Sequence, residues 1–227
     1  MKKIPSASID MILCDLPYGM TDCSWDEIIP IEPLWEEYNR VIKANCAIAL
    51  FGSQPFSSLL VMSNRKMFRH EWVWEKPQGT NFLLAKKRPM KVHEDVLVFS
   101  QIPPRYFPQM TTGDPYVAKN RKQYISEVYR HVVKKSVVNT GTRYPRSVIK
   151  MKREVGLHPT QKPVALFEYF IKTYTVENDL VLDNCAGSGT TAIACLKTKR
   201  NFILIEKEPK YVETIRKRIQ DFKSFHK

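Results

Sequence analysis

Short apolar runs alternate with amphipathic stretches through the first hundred residues. Ile9–Cys14 (Ile-Asp-Met-Ile-Leu-Cys) reads as a buried strand that stops at the turn formers Asp15, Pro17 and Gly19. Pro33 suits the first turn of a helix, and Leu34, Tyr38, Val41 and Ile42 fall on one face of it. Cys46–Phe51 is a second apolar run, closed by Gly52 and Ser53, and His70–Glu75 and Val96–Ser100 read as further strands. Strand and helix in alternation predict a parallel sheet covered on both faces. The pattern returns after His158. Val164–Tyr174 carries an apolar stripe of Leu166, Phe167, Phe170, Ile171 and Tyr174. Leu180–Asp183 is a strand, Ala186–Thr190 a glycine-bearing turn, Thr191–Lys199 a helix and Asn201–Ile205 a strand. A last helix opens at Pro209 and buries Tyr211, Ile215, Ile219 and Phe222.

Between Gln101 and Leu157 the periodicity fails. Prolines at 103, 104, 108 and 115 punctuate the segment, which holds 12 Lys or Arg against three Asp or Glu, a surplus of nine within a whole-chain charge of +13. Charge so unevenly placed suits a polyanionic partner, nucleic acid first among them, or equally a solvated basic face that aids solubility. Tyr106, Phe107, Tyr116, Tyr124, Tyr129 and Tyr144 are interleaved with these cations. They suit base stacking, or a small core of the segment itself, and about half are expected to be buried. The chain therefore divides into 1–100, an inserted segment 101–157, and 158–227. No apolar run approaches the roughly 18 residues of a membrane span, and the amino terminus lacks a signal peptide's apolar stretch. Five cysteines stand singly among scattered histidines, which argues against a disulfide framework and against zinc. A cytoplasmic protein without membrane or metal is expected.

Two loops carry candidate chemistry. The first is Leu180-Val181-Leu182-Asp183-Asn184-Cys185-Ala186-Gly187-Ser188-Gly189-Thr190-Thr191, a strand running through a glycine turn into a helix. Glycines there let backbone approach a ligand, and the helix amino terminus favours a carboxylate. Glu206, 23 residues after Asp183, stands near the interval at which an acidic side chain takes a ribose hydroxyl. With no third glycine and no Gly-Lys-Ser or Gly-Lys-Thr, the turn suits an adenosyl ligand with an amino-acid tail better than a pyrophosphate. The second loop is Asp15-Leu16-Pro17-Tyr18-Gly19, just past the first strand. The lone pair of a base's exocyclic amine is delocalised into the ring, so that nitrogen is a weak nucleophile. Two acceptors on its two N–H groups restore the lone pair. Asp15 offers one, the carbonyl of residue 16 or 17 the other, and Tyr18 a flat face for a base turned out of the helix. Each loop alone also reads as an ordinary tight turn.

Together the two loops resemble the DNA amino-methyltransferases, whose catalytic motif is Asp-Pro-Pro-Tyr and whose cofactor motif is a Gly-x-Gly turn. Trp74-Glu75-Lys76-Pro77 and His158-Pro159-Thr160-Gln161-Lys162-Pro163 are similar to two further family segments. The order of catalytic motif, variable region and cofactor motif is that of the permuted, beta-type members. The resemblance implies a Rossmann-like, doubly wound, mostly parallel α/β sheet of the class I methyltransferases, circularly permuted around an inserted target-recognition region. It implies S-adenosylmethionine as cofactor, double-stranded DNA as partner, adenine N6 as target and an assembly compatible with a homodimer. Asp15, Pro17 and Tyr18 would be catalytic. Asp183, Cys185, Gly187, Ser188, Gly189, Thr190, Glu206, Thr160 and Lys162 would hold the cofactor. Gly19, Trp74, Lys76, Arg121, Lys122, Arg143 and Arg146 would meet the DNA.

The alternatives are cytosine N4, where family members more often have Ser in place of Asp15, and a DNA-binding homologue that has lost catalysis. Leu16 replaces the family's first proline, and Cys185 stands where an aromatic residue is common. The family usually has a further strand, with an acidic residue for the cofactor's adenine, before the strand at Ile9. Met1–Pro5 reads as the tail of the helix that would follow it. His93-Glu94-Asp95 reads as a turn or cap, Cys14 as a buried strand residue, and Trp72 and Trp74 as core packing.

Overall fold

The computed structural model of the protein describes every residue except 21–22, 24–25, 119–135, 155, 157–160 and 226–227. Arg121, Lys122 and Thr160, and the tyrosines at 124 and 129, lie outside the described residues. The chain forms two compact units, Met1–Phe107 with Ser147–Lys227, and Pro108–Arg146.

The larger unit is built on seven strands. In chain order these are β1 (Ile9–Cys14), β2 (Ile42–Gly52), β3 (Phe68–Thr80) and β4 (Lys91–Phe99), then, beyond four short strands of the smaller unit, β9 (Val148–Lys150), β10 (Leu180–Asp183) and β11 (Asn201–Leu204). Their order across the sheet is β11-β10-β1-β2-β4-β3-β9. The pairs β11–β10, β10–β1, β1–β2 and β3–β9 are parallel, and β4 runs antiparallel to both neighbours. The mostly parallel α/β sheet expected from the alternation is present, but β3 and β4 form a hairpin where strand–helix alternation was expected. Ten residues, 81–90, separate them, fewer than the dozen or more that a parallel crossover needs. β9 lies within the segment set apart by composition, and its pairing of Val73 with Val148 and Trp74 with Ile149 joins it to the main sheet.

Side chains alternate across the sheet, and each face has its own core. On one face Met11, Leu13, Ala47, Ala49 and Phe51 pack under α3 (Val164–Tyr174) and α4 (Thr190–Thr198) through Phe167, Phe170, Ile171 and Ile193. On the other, Ile12, Cys14, Ile48 and Leu50 pack against α1 (Ile31–Val41) and α2 (Phe56–Ser63) through Leu34, Trp35, Tyr38 and Leu60. The last helix, α5 (Pro209–Phe225), buries Tyr211 and Ile215, while Ile219 and Phe222 are only half-buried. Ile42, expected on α1, is extended and opens β2, as suits adjacent β-branched residues. Trp35 takes its place in the core and donates its Nε1–H to Ser63 Oγ at 2.8 Å. Residues 1–8 are turns and not the end of a helix. Ala7 takes a φ of 49°, and Arg40 holds the carbonyls of Ile4 at 2.7 Å and Met1 at 3.2 Å. Among the described residues no helix is long and apolar enough to cross a membrane.

In the smaller unit, β5 (Thr111–Thr112) pairs with β8 (Thr142–Arg143), and β6 (Tyr116–Ala118) with β7 (Val137–Asn139), all antiparallel. Tyr106, Phe107, Tyr116 and Tyr144 are all exposed, so none of the described aromatics between 101 and 157 is buried, against the half expected. Tyr106 and Phe107 lie at the end of the larger unit, where Tyr106 meets Tyr174 with centroids 6.1 Å apart, and Tyr116 and Tyr144 lie in the smaller one.

Phe170 is fully buried and meets Phe51 and Trp72 edge-on, with centroids 6.2 and 5.9 Å apart. Phe170→Ala is expected to lower the unfolding free energy by about 3–5 kcal/mol, read as a fall in the urea midpoint at unchanged slope.

Candidate active site

Met11 pairs with Val181 and Ile12 with Leu182, so the chains leaving β1 and β10 emerge side by side at the carboxyl edge of the sheet, where open α/β sheets gather ligands. They line one cavity of about 440 Å³, shared by Asp15–Tyr18 from the first loop and Asp183–Ser188 from the second. The volume lies in the range of ligand clefts.

The first loop is held by carboxylates. Asp26 Oδ1 accepts the backbone N–H groups of Tyr18 (2.8 Å) and Gly19 (2.9 Å), and its Oδ2 that of Met20 (2.9 Å). Gly19 sits at φ 67°, and a Cβ there would stand 3.0 Å from Ile28 Cγ1, so the turn requires glycine. Tyr18 donates its hydroxyl to Asp15 Oδ1 at 2.7 Å and stacks on Phe56 with centroids 5.2 Å apart. Its ring is therefore set from both ends. Leu16, in the family's proline position, is buried.

Asp15 belongs to a four-charge cluster. Lys162 Nζ donates to Asp15 Oδ2 and lies 3.3 Å from Glu94 Oε2, while Lys76 Nζ donates to Glu94 Oε1. The side chains of both lysines are only 7% exposed. Two acids and two bases leave the cluster neutral, as burial demands. Burial raises the Asp15 pKa, and Lys162 only partly offsets that rise. Burial also works against Glu94 ionising, but Lys162 and Lys76 outweigh it and hold Glu94 below the ordinary glutamate value. Desolvation would lower Lys162, yet Asp15 and Glu94 keep it above the usual lysine value. Lys162 stays charged.

The second loop is a turn closed by its own carboxylates. Asp183 accepts the Cys185 N–H at 3.0 Å on Oδ1 and the Thr191 hydroxyl on Oδ2. Glu206 accepts the N–H groups of Gly187 at 2.7 Å and Glu208 at 2.9 Å. Gly187 and Gly189 have φ of 49° and 81°. A Cβ on Gly189 would come within 2.8 Å of Ile215 Cγ1, so this glycine admits α5 as well as the turn. Ser188 is buried, and its carbonyl accepts from Arg218 at 2.8 Å. Thr190 donates to the Lys162 carbonyl at 3.2 Å, which ties the start of α4 to the segment that supplies the cluster's lysine.

The two loops thus bring together Asp15, Pro17, Tyr18, Asp183, Cys185, Gly187, Ser188, Thr190 and Glu206 around one cavity, with Trp74, Lys76 and Lys162. Lys162, expected on the cofactor, directs its ammonium to Asp15 and Glu94. Trp74 is buried and donates its Nε1–H to the Met151 carbonyl at 3.0 Å. In the smaller unit Arg143 donates to Asn139 Oδ1 at 2.5 Å and to the Thr142 carbonyl at 2.9 Å, and packs over Tyr116 at 4.8 Å. Its guanidinium fastens its own unit. Arg146 is exposed. Glu94 was read as a cap or turn; it lies within β4 and faces the cavity, because the strand begins at Lys91 and not at the apolar run. Asp26 was missed altogether, since its role is visible only through the folded loop. Cys14 is buried, and burial together with a hydrogen bond to Cys185 pushes its thiol well up, away from a nucleophile's range. Among the described residues no group of three His, Cys, Asp or Glu is placed to hold a metal.

A parallel sheet with an acidic loop after one strand and a glycine turn after its parallel neighbour, both opening on one cavity, defines a class I methyltransferase fold. In agreement, the chain overlays on the crystal structure of M1.HpyAVI in complex with SAM with a TM-score of 0.64 and 26% identity, over 96% of this chain and 90% of that one. Residues 9–217 match the DNA methylase family N6_N4_Mtase, and the chain belongs to it. It is 28% identical to the DNA adenine methyltransferase YhdJ of Escherichia coli (strain K12), over 94% of this chain and 76% of YhdJ. It is 27% identical to the type II methyltransferase M.HpaI of Haemophilus parainfluenzae, over 99% of this chain and 73% of that enzyme.

Burial raises the Asp183 carboxyl to about 6, against the opposing bonds from Thr191 and Cys185. The folded value lies above the unfolded one, so the carboxyl favours folding at low pH, and that contribution disappears as pH rises from about 4 through about 6. Asp183→Asn should remove this dependence. In urea unfolding, the variant's stability relative to the parent is expected to improve by up to about 3 kcal/mol between pH 3.5 and pH 7; a difference independent of pH would refute the assignment.

Proposed function

We propose that the protein transfers a methyl group from S-adenosylmethionine to N6 of adenine in double-stranded DNA, and that Asp15 holds the amine. The observation that carries this reading is the meeting of the Asp15–Tyr18 loop and the glycine turn in one cavity. Membership of the DNA methylase family and the likeness to an adenine methyltransferase support it. Asp15 in place of serine favours adenine N6 over cytosine N4.

The cofactor fits the residues present. Glu206 offers a carboxylate to ribose hydroxyls, the Cys185–Ser188 turn offers backbone, and the start of α4 with Thr190 suits a carboxylate. When bound, S-adenosylmethionine supplies an electrophilic methyl group. The rest falls to the chain. Tyr18, fixed by Phe56 and by Asp15, presents a ring to a base turned out of the duplex. Asp15 accepts one amine N–H, and the carbonyl of Leu16 or Pro17 accepts the other. Each carboxylate oxygen has two lone pairs, so the bonds from Tyr18 and Lys162 leave room for the amine. Held this way, the nitrogen directs its lone pair away from the ring, and Asp15 is the nearest acceptor for the proton it sheds. Lys162 opposes the burial that raises the Asp15 pKa, and Glu94 with Lys76 keeps Lys162 in place.

The motif order corresponds to the circularly permuted members of the family. The smaller unit, Pro108–Arg146, forms the centre of the inserted recognition region, and the surplus of positive charge across residues 101–157 suits contact with phosphates. The enzyme works on cellular DNA in the cytoplasm, in the manner of a restriction-modification methyltransferase, and a homodimer is compatible with this role.

Asp15→Ala is expected to abolish methyl transfer while S-adenosylmethionine affinity, measured by calorimetric titration, stays within about three-fold, less than the ten-fold that 1.4 kcal/mol represents. Loss of cofactor binding would place Asp15 on the wrong ligand. Lys162→Met removes the charge that opposes the Asp15 pKa rise, and methyl transfer requires the ionised carboxylate. The acid limb of the kcat profile should therefore move to higher pH, a displacement that a purely packing role for Lys162 would not produce.

A further inference from the structure

The β3–β4 hairpin frames the cavity, with Trp74, Lys76 and Thr80 on its outgoing strand and Glu94 on its return. Beyond Thr80 it ends in a tip, residues 81–90, to which the mechanism assigns nothing. The tip is ordered by its own backbone. Asn81 takes a left-handed φ of 67° and opens a 3-10 turn over Phe82–Leu84. Leu84 N–H bonds the Asn81 carbonyl at 2.9 Å, and the N–H groups of Lys87 and Arg88 bond the Leu84 carbonyl at 2.9 and 3.0 Å. Gly79 lets the strands close, since a Cβ there would meet Met90 Cε at 2.7 Å.

On this turn Phe82 is 76% exposed and Leu83 is 96% exposed, the most exposed large apolar side chain among the described residues. Lys86, Lys87 and Arg88 follow at once, all exposed. Two adjacent large apolar side chains facing water suit an apolar partner, and three cations close behind them suit a polyanion. A stacked duplex, apolar between its base pairs and anionic along its edges, meets both demands.

The position of the tip specifies which part of the duplex. Asp15 lies inside the cavity, so a target base reaches it only by leaving the stack, and the gap it leaves must be filled or must collapse. Apolar side chains of this kind insert between base steps in DNA-bending proteins, and the same side chains can occupy the space a base leaves. We propose that Phe82 and Leu83 form a wedge that enters the duplex where the target base has left it, with Lys86, Lys87 and Arg88 on the flanking phosphates. This inference rests on the reading of the cavity as a base-amine methylation site.

The test uses the full chain, S-adenosylmethionine and a duplex carrying the site found in DNA that the unaltered protein has methylated. A second duplex has the target adenine mismatched, so that the base leaves the stack easily. The Phe82→Ala/Leu83→Ala variant is expected to methylate the paired duplex about ten-fold more slowly or worse, and the mismatched duplex within about three-fold of the unaltered protein, because the mismatch lowers the work of extrusion. Cofactor affinity within about two-fold of the unaltered protein's establishes that the variant is folded. Equal rates on the paired duplex, or equal slowing on both duplexes, would overturn the wedge. If the unaltered protein methylates no DNA, the reading of the cavity fails first and the wedge fails with it.

Discussion

The site depends on the parallel pairing of β1 with β10, two strands far apart in the chain. At the amino ends of the strands, the buried carboxylate of Asp10 accepts the Leu180 N–H at 3.0 Å across 170 positions of sequence. At the carboxyl ends, Lys162 reaches back to Asp15 from the segment leading into α3. Between these anchors Met11 and Ile12 lie in register with Val181 and Leu182. A slip of one residue would exchange the two faces of β1 and send Met11 and Ile12 to the wrong cores. Register, core and site are thus fixed by the same few contacts, and the acidic loop meets the glycine turn only because they hold.

A buried cluster of four charges contributes little net stability, because desolvation of each ion consumes most of the attraction. Its value lies in the protonation states it enforces. Asp15 without Lys162 would drift toward the neutral acid, a weaker acceptor for the one amine N–H assigned to it. Lys162 opposes that drift, and Glu94 and Lys76 complete a neutral set in which no charge is left uncompensated. The same logic, without a lysine, leaves Asp183 with a pKa near 6. Of these two aspartates on neighbouring loops, half-buried Asp15 has a cation beside it, while buried Asp183 is bonded by the Thr191 hydroxyl, the Cys185 N–H and the Cys14 thiol. Their environments divide their work.

Much of this was legible in the sequence wherever local pattern and topology agree. The β1 and β10 runs, the α3 stripe and both loops follow from periodicity and turn formers, and the loops came together because open α/β sheets place loops after adjacent strands on one edge. The hairpin was not legible. Strand–helix alternation made β3 and β4 look like parallel strands, and only the ten-residue link betrays them. Glu94 was hidden for the same reason: with the strand started too late, a cavity-facing residue looked like a cap. Lys162 was seen, but its partner was not, since a motif shows which residues gather and not which way a long side chain turns. Asp26 carries no pattern at all, because its three bonds to backbone N–H groups exist only once the loop has folded around it.

The most direct measurement of the central claim is the identity of the methylated nucleoside. Duplex DNA incubated with the protein and S-adenosylmethionine, digested to nucleosides and resolved by mass spectrometry, should yield N6-methyladenine, with none formed by Asp15→Ala. N4-methylcytosine as the product, or no methylated base from the unaltered protein, would contradict the account.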